Sequence, residues 1–284
     1  MGALIVNADD FGLTSGVNRA IIELHFAGVL TSTSLMARAS ATEEAIELAR
    51  SAPALGVGCH IVLVDGEPVL PPDQIPTLVD SRTGCFPSSL STFLARLFAG
   101  RIRAAEIEAE AGAQIDFLQQ RGVRLTHVDT HKHTHVLPSV LRPVLRAARG
   151  RGIRAIRNPI EPEWAIRATH GAPWLRIAQV AGLRWLKPVC RRILDSEGFA
   201  TTSGTVAVAG TGTLDADTLR SLVRSLPPGT WELVTHPGYH DADLDRVRTR
   251  LRASRDVERA ALMALKEFPN LELISFAKLQ PHSP

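Results

Sequence analysis

The sequence predicts an α/β fold built on a parallel sheet, either open or closed into a barrel. Two observations lead there. Strand-like and helix-like segments alternate almost throughout, the order that sets parallel strands side by side with helical crossovers between them. Four of the strands also end in polar groups that a buried strand has no structural need for, as happens where C-terminal strand ends gather on one face. Neither an internal repeat nor a low-complexity linker divides the chain, so residues 1–284 are expected to form one domain.

Leu4 to Ala8 reads as a buried strand, and Val17 to Ala27 as a helix capped by Thr14 or Ser15. Ser32 to Ala37 is a second strand. Thr42 to Ser51 is a helix whose N-terminus is favoured by Thr42, Glu43 and Glu44. Gly56 to Leu63 is the third strand. From Asp65 to Pro76 the chain carries too many prolines for either regular structure. Helices at about 88–99 and 102–120 lead to a strand through Val123 and Leu125. Ser139 to Arg149 then reads as helix, Ile153 to Arg157 and Thr205 to Ala209 as strands, and Asp215 to Leu226 as helix. Trp231 to Thr235 is strand, Asp256 to Glu267 helix, and Leu271 to Phe276 the last strand.

A helical insertion at about 164–196 interrupts this order. It holds Trp164, Trp174 and Trp185 among Arg167, Arg176, Arg184, Lys187, Arg191 and Arg192. One reading makes it an added layer with core tryptophans and solvated arginines. The other makes it a flap over the site, or a surface touching an acidic or lipid interface, with anionic vesicles bound through Trp174 to Arg192.

The densest chemistry is the alternate-position run His127, Asp129, His131, His133 and His135. Imidazole and carboxylate together suit a borderline or hard divalent metal. If the strand continued, period two would place all five on one face. They would then span about 26 Å at ~3.3 Å per residue, too far for one ion. One or two are therefore expected to bind metal while the others orient ligands or meet substrate.

Other strand ends supply partners. Adjacent Asp9 and Asp10 point in different directions at a strand terminus, so one can ligate metal while the other addresses a bound water; a capped turn is the alternative. His60 is either a core histidine or a ligand. His236 is either a general acid or a turn residue. Arg157 is suited to hold a carboxylate ligand or a substrate oxygen, or to form an ordinary salt bridge. Nothing is assigned to His25, His170, His240 and His282.

Composition narrows the class. Apolar residues make up 45% of the 284, ample for a core, and aromatic residues only 5%. The net charge of +3 is mild and the arginines are scattered, so a nucleic-acid groove is not expected. Cys59, Cys85 and Cys190 lack paired spacing, which points to a reducing compartment. With no signal peptide and no spanning segment in view, a soluble, cytoplasmic protein is expected.

At these residues the sequence resembles the YdjC-like carbohydrate deacetylases, a family similar in mechanism to the wider polysaccharide deacetylases. The resemblance runs through Asn7 to Gly12, Leu30 to Ser34, Gly58 to His60, Thr126 to Pro138 and Thr235 to Tyr239. Leu63 to Pro72 and Arg157 to Pro162 look most like the HpnK branch, which is associated with hopanoid biosynthesis.

The resemblance implies a distorted or incomplete (β/α) TIM-like barrel of the glycoside hydrolase/deacetylase type. It implies Asp10, His60 and His131 as ligands of one divalent ion, Asp9 as catalytic base and His236 as acid. Zn and Mg are the metals expected, with Mn, Co, Ni and Fe open. Asp129, His133, His135 and Arg157 would meet substrate or support the ligands. Cys59 departs from the family, which more often carries an aliphatic residue there.

The activity implied is removal of acetyl from an N-acetylated amino sugar. An N-acetylglucosaminyl hopanoid is one candidate and a chito-oligosaccharide such as diacetylchitobiose another. A lipid-linked substrate would bring peripheral contact with the inner membrane surface, and a homodimer is left open. Hydrolysis of a phosphoester or cyclic amide, or metal-dependent sugar binding without turnover, are the competing classes.

Overall fold

The structure, a computed structural model, describes residues 2–279. Met1 and residues 280–284, with the unassigned His282, lie outside the described residues. The first half runs β1 (Ala3–Phe11), α1 (Ser15–Phe26), β2 (Ser32–Leu35), α2 (Thr42–Ser51), β3 (Gly56–Ile61), α3 (Leu90–Phe98), α4 (Ala104–Gln120) and β4 (Leu125–Thr130). After a 3₁₀ turn at His131–Val136 come α5 (Pro138–Arg149), α6 (Glu163–Ala168), α7 (Trp174–Leu183) and α8 (Lys187–Glu197). The remainder is β5 (Thr205–Val206), α9 (Ala216–Arg224), β6 (Thr230–Thr235), α10 (Ala242–Arg246) and α11 (Ala253–Leu262).

Local chemistry explains several of these boundaries. The Thr14 side chain accepts from the Val17 amide and caps α1, while Asp215 accepts from Thr218 and caps α9. β1 is buried at every position after Ala3, as a parallel strand covered on both faces must be.

All neighbouring strands are parallel, in the order β4-β3-β2-β1-β6-β5. The two edges are joined through an irregular segment. Val128 of β4 donates to the Ala155 carbonyl at 3.0 Å, and Arg157 donates back to Val128 at 3.2 Å. On its other side this segment bonds Ala200, and Thr205 of β5 donates to the Ile160 carbonyl at 3.2 Å. The hydrogen-bond circuit thus returns to its start as a distorted barrel, and every strand end carrying chemistry opens on one face.

Several expected strands are shorter than predicted, β2 and β3 by two residues each and others by more. Ile153–Arg157 forms isolated bridges only, and Leu273 forms a single bridge to Leu4. The strand expected to reach Ala209 stops at Val206, because Ala207 takes a left-handed φ of 70°. The histidine strand stops at Thr130. Lys132 and His133 adopt φ of 57° and 53°, which turns the chain sharply, so the common face that a continued strand would have given the five alternate residues does not form.

The insertion is helical, but its tryptophans divide. Trp164 packs against the core and edge-on to Trp231, with ring centroids 5.2 Å apart. Trp174 and Trp185 are 78% and 86% exposed, so the reading of three core tryptophans holds for Trp164 alone. Val180 of α7 packs with Val208, Ala209 and Val234, and Arg176 donates to the Val208 carbonyl. On α8 the Cys190 thiol donates to the Val136 carbonyl. The insertion therefore braces the loop after β5 on one side and the turn after β4 on the other. No helix among the described residues is long and apolar enough to cross a membrane.

Candidate metal and catalytic site

A β-bulge builds the first corner of the site. The register of β1 against β2 slips by one residue between Ala8 and Phe11, and Asp10 within it takes a φ of 66°. An extra residue on one strand re-aims the side chains around it. Asp9 consequently faces Arg157, while Asp10 faces Arg255, His60 and His131. A left-handed aspartate is strained, and such strain gathers at functional sites.

Asp10, His60 and His131 form a group whose donor atoms all lie within 4.8 Å of one another. His60 Nε2 and His131 Nδ1 are 3.3 Å apart, and Asp10 Oδ1 stands 3.7 and 3.6 Å from them. Two of the three, His60 and Asp10, are oriented from behind. Asp129 Oδ1 holds His60 Nδ1 at 2.9 Å, and Arg255 Nη2 donates to Asp10 Oδ2 at 2.6 Å. Backing of this kind fixes a histidine's tautomer and leaves the opposite nitrogen for a metal. The set of one carboxylate and two imidazoles, converging on one point, fits a divalent cation. A second group, Asp9, His60 and Asp129, also converges, but Arg157 already occupies both of its carboxylates.

Electrostatics agree with this division. Burial pushes the Asp10 carboxyl up, but Arg255, His131 and His236 outweigh it and hold it well below the usual range. Burial pushes the His60 imidazole down, yet Asp129, Asp9 and Asp10 raise it to about 9. Such a histidine holds a proton until a cation replaces it. His131 is lowered, mainly by burial, which leaves it the readier neutral ligand.

Under the Asp10–His60–His131 group lies a buried ionic hub. Arg157 is wholly inaccessible, and its Nη1 and Nη2 grip Asp9 at 2.8 and 2.6 Å. It also pairs with Asp129, and its Nε donates to Glu232 at 2.7 Å. With its donors committed to three carboxylates, Arg157 has no reach to a substrate oxygen. Asp129 is equally buried beneath His60.

His236 stands across from Asp9, its Nε2 3.9 Å from Asp9 Oδ2. Its backbone amide donates to Glu258 at 2.6 Å, and its Nδ1 lies 3.9 Å from the same oxygen. His135 faces inward, between Thr130 Oγ1 at 2.7 Å and the Arg157 carbonyl at 3.2 Å, so it braces the hub's backbone. His133 is half-buried, with an unbonded Nδ1. His127 lies away from the group, stacked on Phe276 with centroids 3.8 Å apart. Cys59 belongs to the apolar core.

Three members of the site escaped sequence reading. Glu232 carried a signal, being a charge in the middle of an otherwise apolar strand. Arg255 and Glu258 carried none, because charges three apart on an amphipathic helix are ordinary surface patterning.

Glu232 yields a direct pH prediction. Burial, aided by Asp9 and Asp129 and opposed by Arg157, raises its carboxyl from 4.5 to about 7. Below pH 4.5 the folded and unfolded chains both hold this proton; from there to about 7 only the folded chain does. Its contribution to stability is therefore full in acid and lost as pH rises through that window. Glu232→Gln should abolish this loss, gaining on wild type by on the order of 3 kcal/mol between acid and mildly alkaline pH. Denaturant unfolding at several pH values would test it; parallel curves for the two proteins would show that folding does not raise the Glu232 carboxyl.

The fold and the site together define an α/β protein with a convergent His₂–carboxylate group, of the kind that could hold a divalent ion, at its C-terminal strand ends. The chain belongs to the YdjC-like protein family, whose profile matches residues 3–268. It is 31% identical to a carbohydrate deacetylase of Thermoanaerobacter pseudethanolicus, across 92% of this chain and 91% of that one. A chitooligosaccharide deacetylase of Salmonella typhimurium is 38% identical over 53% of this chain and 57% of its own. A crystal structure from Enterococcus faecalis, named for cellobiose-phosphate cleavage, superposes with a TM-score of 0.71 at 26% identity, covering 97% of each chain.

Proposed function

We propose that the protein is a metal-dependent carbohydrate N-deacetylase, carried by one domain with an inserted helical segment. The observation that supports this best is the pairing of the Asp10–His60–His131 group with Asp9 and His236, two proton-transfer side chains facing each other beside it. A divalent ion held by the group would polarise the acetyl carbonyl and acidify a water. Asp9, fixed by Arg157, takes a proton as the water oxygen bonds to the carbonyl carbon. His236 delivers a proton to the sugar nitrogen as the C–N bond breaks, leaving acetate and a free amine. Arg255 and Asp129 keep Asp10 and His60 aimed, and neither meets the substrate.

The substrate is an N-acetylated amino sugar. The stretches Leu63 to Pro72 and Arg157 to Pro162 favour the HpnK branch and with it a lipid-linked N-acetylglucosaminyl hopanoid, deacetylated at the cytoplasmic face of the inner membrane. The relative named for chitooligosaccharides favours a soluble oligosaccharide instead. Acetate release from both conjugates by metal-reconstituted protein separates them. The faster conjugate identifies the substrate class. A tightly bound metal with no acetate from either would overturn the deacetylase reading.

A further inference from the structure

We infer that the outer face of the inserted helices is a docking surface for an anionic lipid bilayer. Four large apolar side chains stand out from it: Trp174 and Leu175 at the start of α7, Trp185 in the 3₁₀ turn between α7 and α8, and Val189 in the first turn of α8. Their helices' inward side chains, Val180, Cys190, Ile193 and Leu194, are already buried, so the fold has no further use for the outer four. An indole is at its most favourable where an apolar body meets a wet, polar boundary, as at a membrane interface.

Charge selects the occupant. Between Trp164 and Arg192 the charged residues are Arg167, Arg176, Arg184, Lys187, Arg191 and Arg192, with no carboxylate among them. Arg176 turns inward, Arg184 pairs with Glu163, and Arg191 pairs with Asp195. Lys187 and Arg192 are exposed close along the chain to Trp185 and Val189, with no ion-pair partner among the described residues. Two-fold pairing of this face with a second copy would bring these like charges together, whereas anionic headgroups neutralise them.

Its position ties the surface to the site. α7 rests on Val234, two residues before His236, and α8 rests on Val136, next to His135. A bilayer bound there lies alongside the strand ends that carry the chemistry. The inference does not depend on which sugar is deacetylated, or on whether one is.

The test is co-sedimentation of the full chain with phosphatidylglycerol-containing vesicles, read alongside tryptophan emission. Wild type should bind with a blue shift, and weaken about tenfold in ~0.5 M salt or on pure phosphatidylcholine. Trp174→Ser/Trp185→Ser should lose about tenfold in binding with an unchanged melting temperature, as exposed positions allow. Phe98→Ser, at an exposed apolar side chain elsewhere, should bind as wild type. Equal partitioning of the double variant, absence of binding by wild type, or a dimer in size exclusion that the double variant dissolves would each overturn the inference. Acetate release from a water-soluble conjugate reads the deacetylase separately, so failure of one does not masquerade as failure of the other.

Discussion

Asp9→Asn protein should keep its metal and lose its turnover. Asp10, His60 and His131 are untouched by the change, so bound-metal stoichiometry should match wild type. The loss should fall on kcat by about 10³-fold with KM little altered, the pattern of a group used only in proton transfer. Folding should survive, because Asn still offers one oxygen to Arg157 while Asp129 and Glu232 remain to balance the guanidinium. Asp10→Asn is the contrast: it weakens the ligand oxygen that faces His60 and His131, so metal content should fall together with activity. Undiminished kcat in the Asp9 variant, with metal retained, would remove Asp9 as the base and leave His236 as the nearest alternative.

The convergence of Asp9, Asp10, His60, His131 and His236 was legible because parallel α/β topology has only one place to put C-terminal strand ends. Each lies at or just beyond the end of an apolar run, and adjacency in the barrel follows from chain order. Sequence could not show where the histidine strand would stop. That depends on Lys132 and His133 entering the left-handed region, which neither side chain advertises. The turn sends His135 down to Thr130 and the Arg157 carbonyl rather than toward a ligand.

Arg157 was visible as a charge at a strand end, but its partners were not. They come from β1, β4 and β6, and a ladder that closes across an irregular segment sets which of them it meets. The insertion showed its composition plainly. The division of its tryptophans required knowing which helix face packs on Val208 and Val136.

The largest expected loss of stability is at Arg157. Methionine there would fill similar volume yet leave Asp9, Asp129 and Glu232 buried together with no guanidinium between them. Removing one member of a buried ionic cluster strands the others, at about 3–5 kcal/mol. For a chain of this size that is a fall of roughly 10 °C in melting temperature. Lysine should rescue little, since one ammonium cannot supply the three directions that Nε, Nη1 and Nη2 now serve. The deficit should shrink as pH falls, because a protonated carboxyl needs no counter-ion. Adding Glu232→Gln to Arg157→Met should recover part of the loss at neutral pH, a coupling on the order of 1–3 kcal/mol for residues in direct contact. A variant equal to wild type at every pH would mean that protons, not Arg157, hold these carboxylates, and that Asp9 is positioned by something other than the guanidinium beneath it.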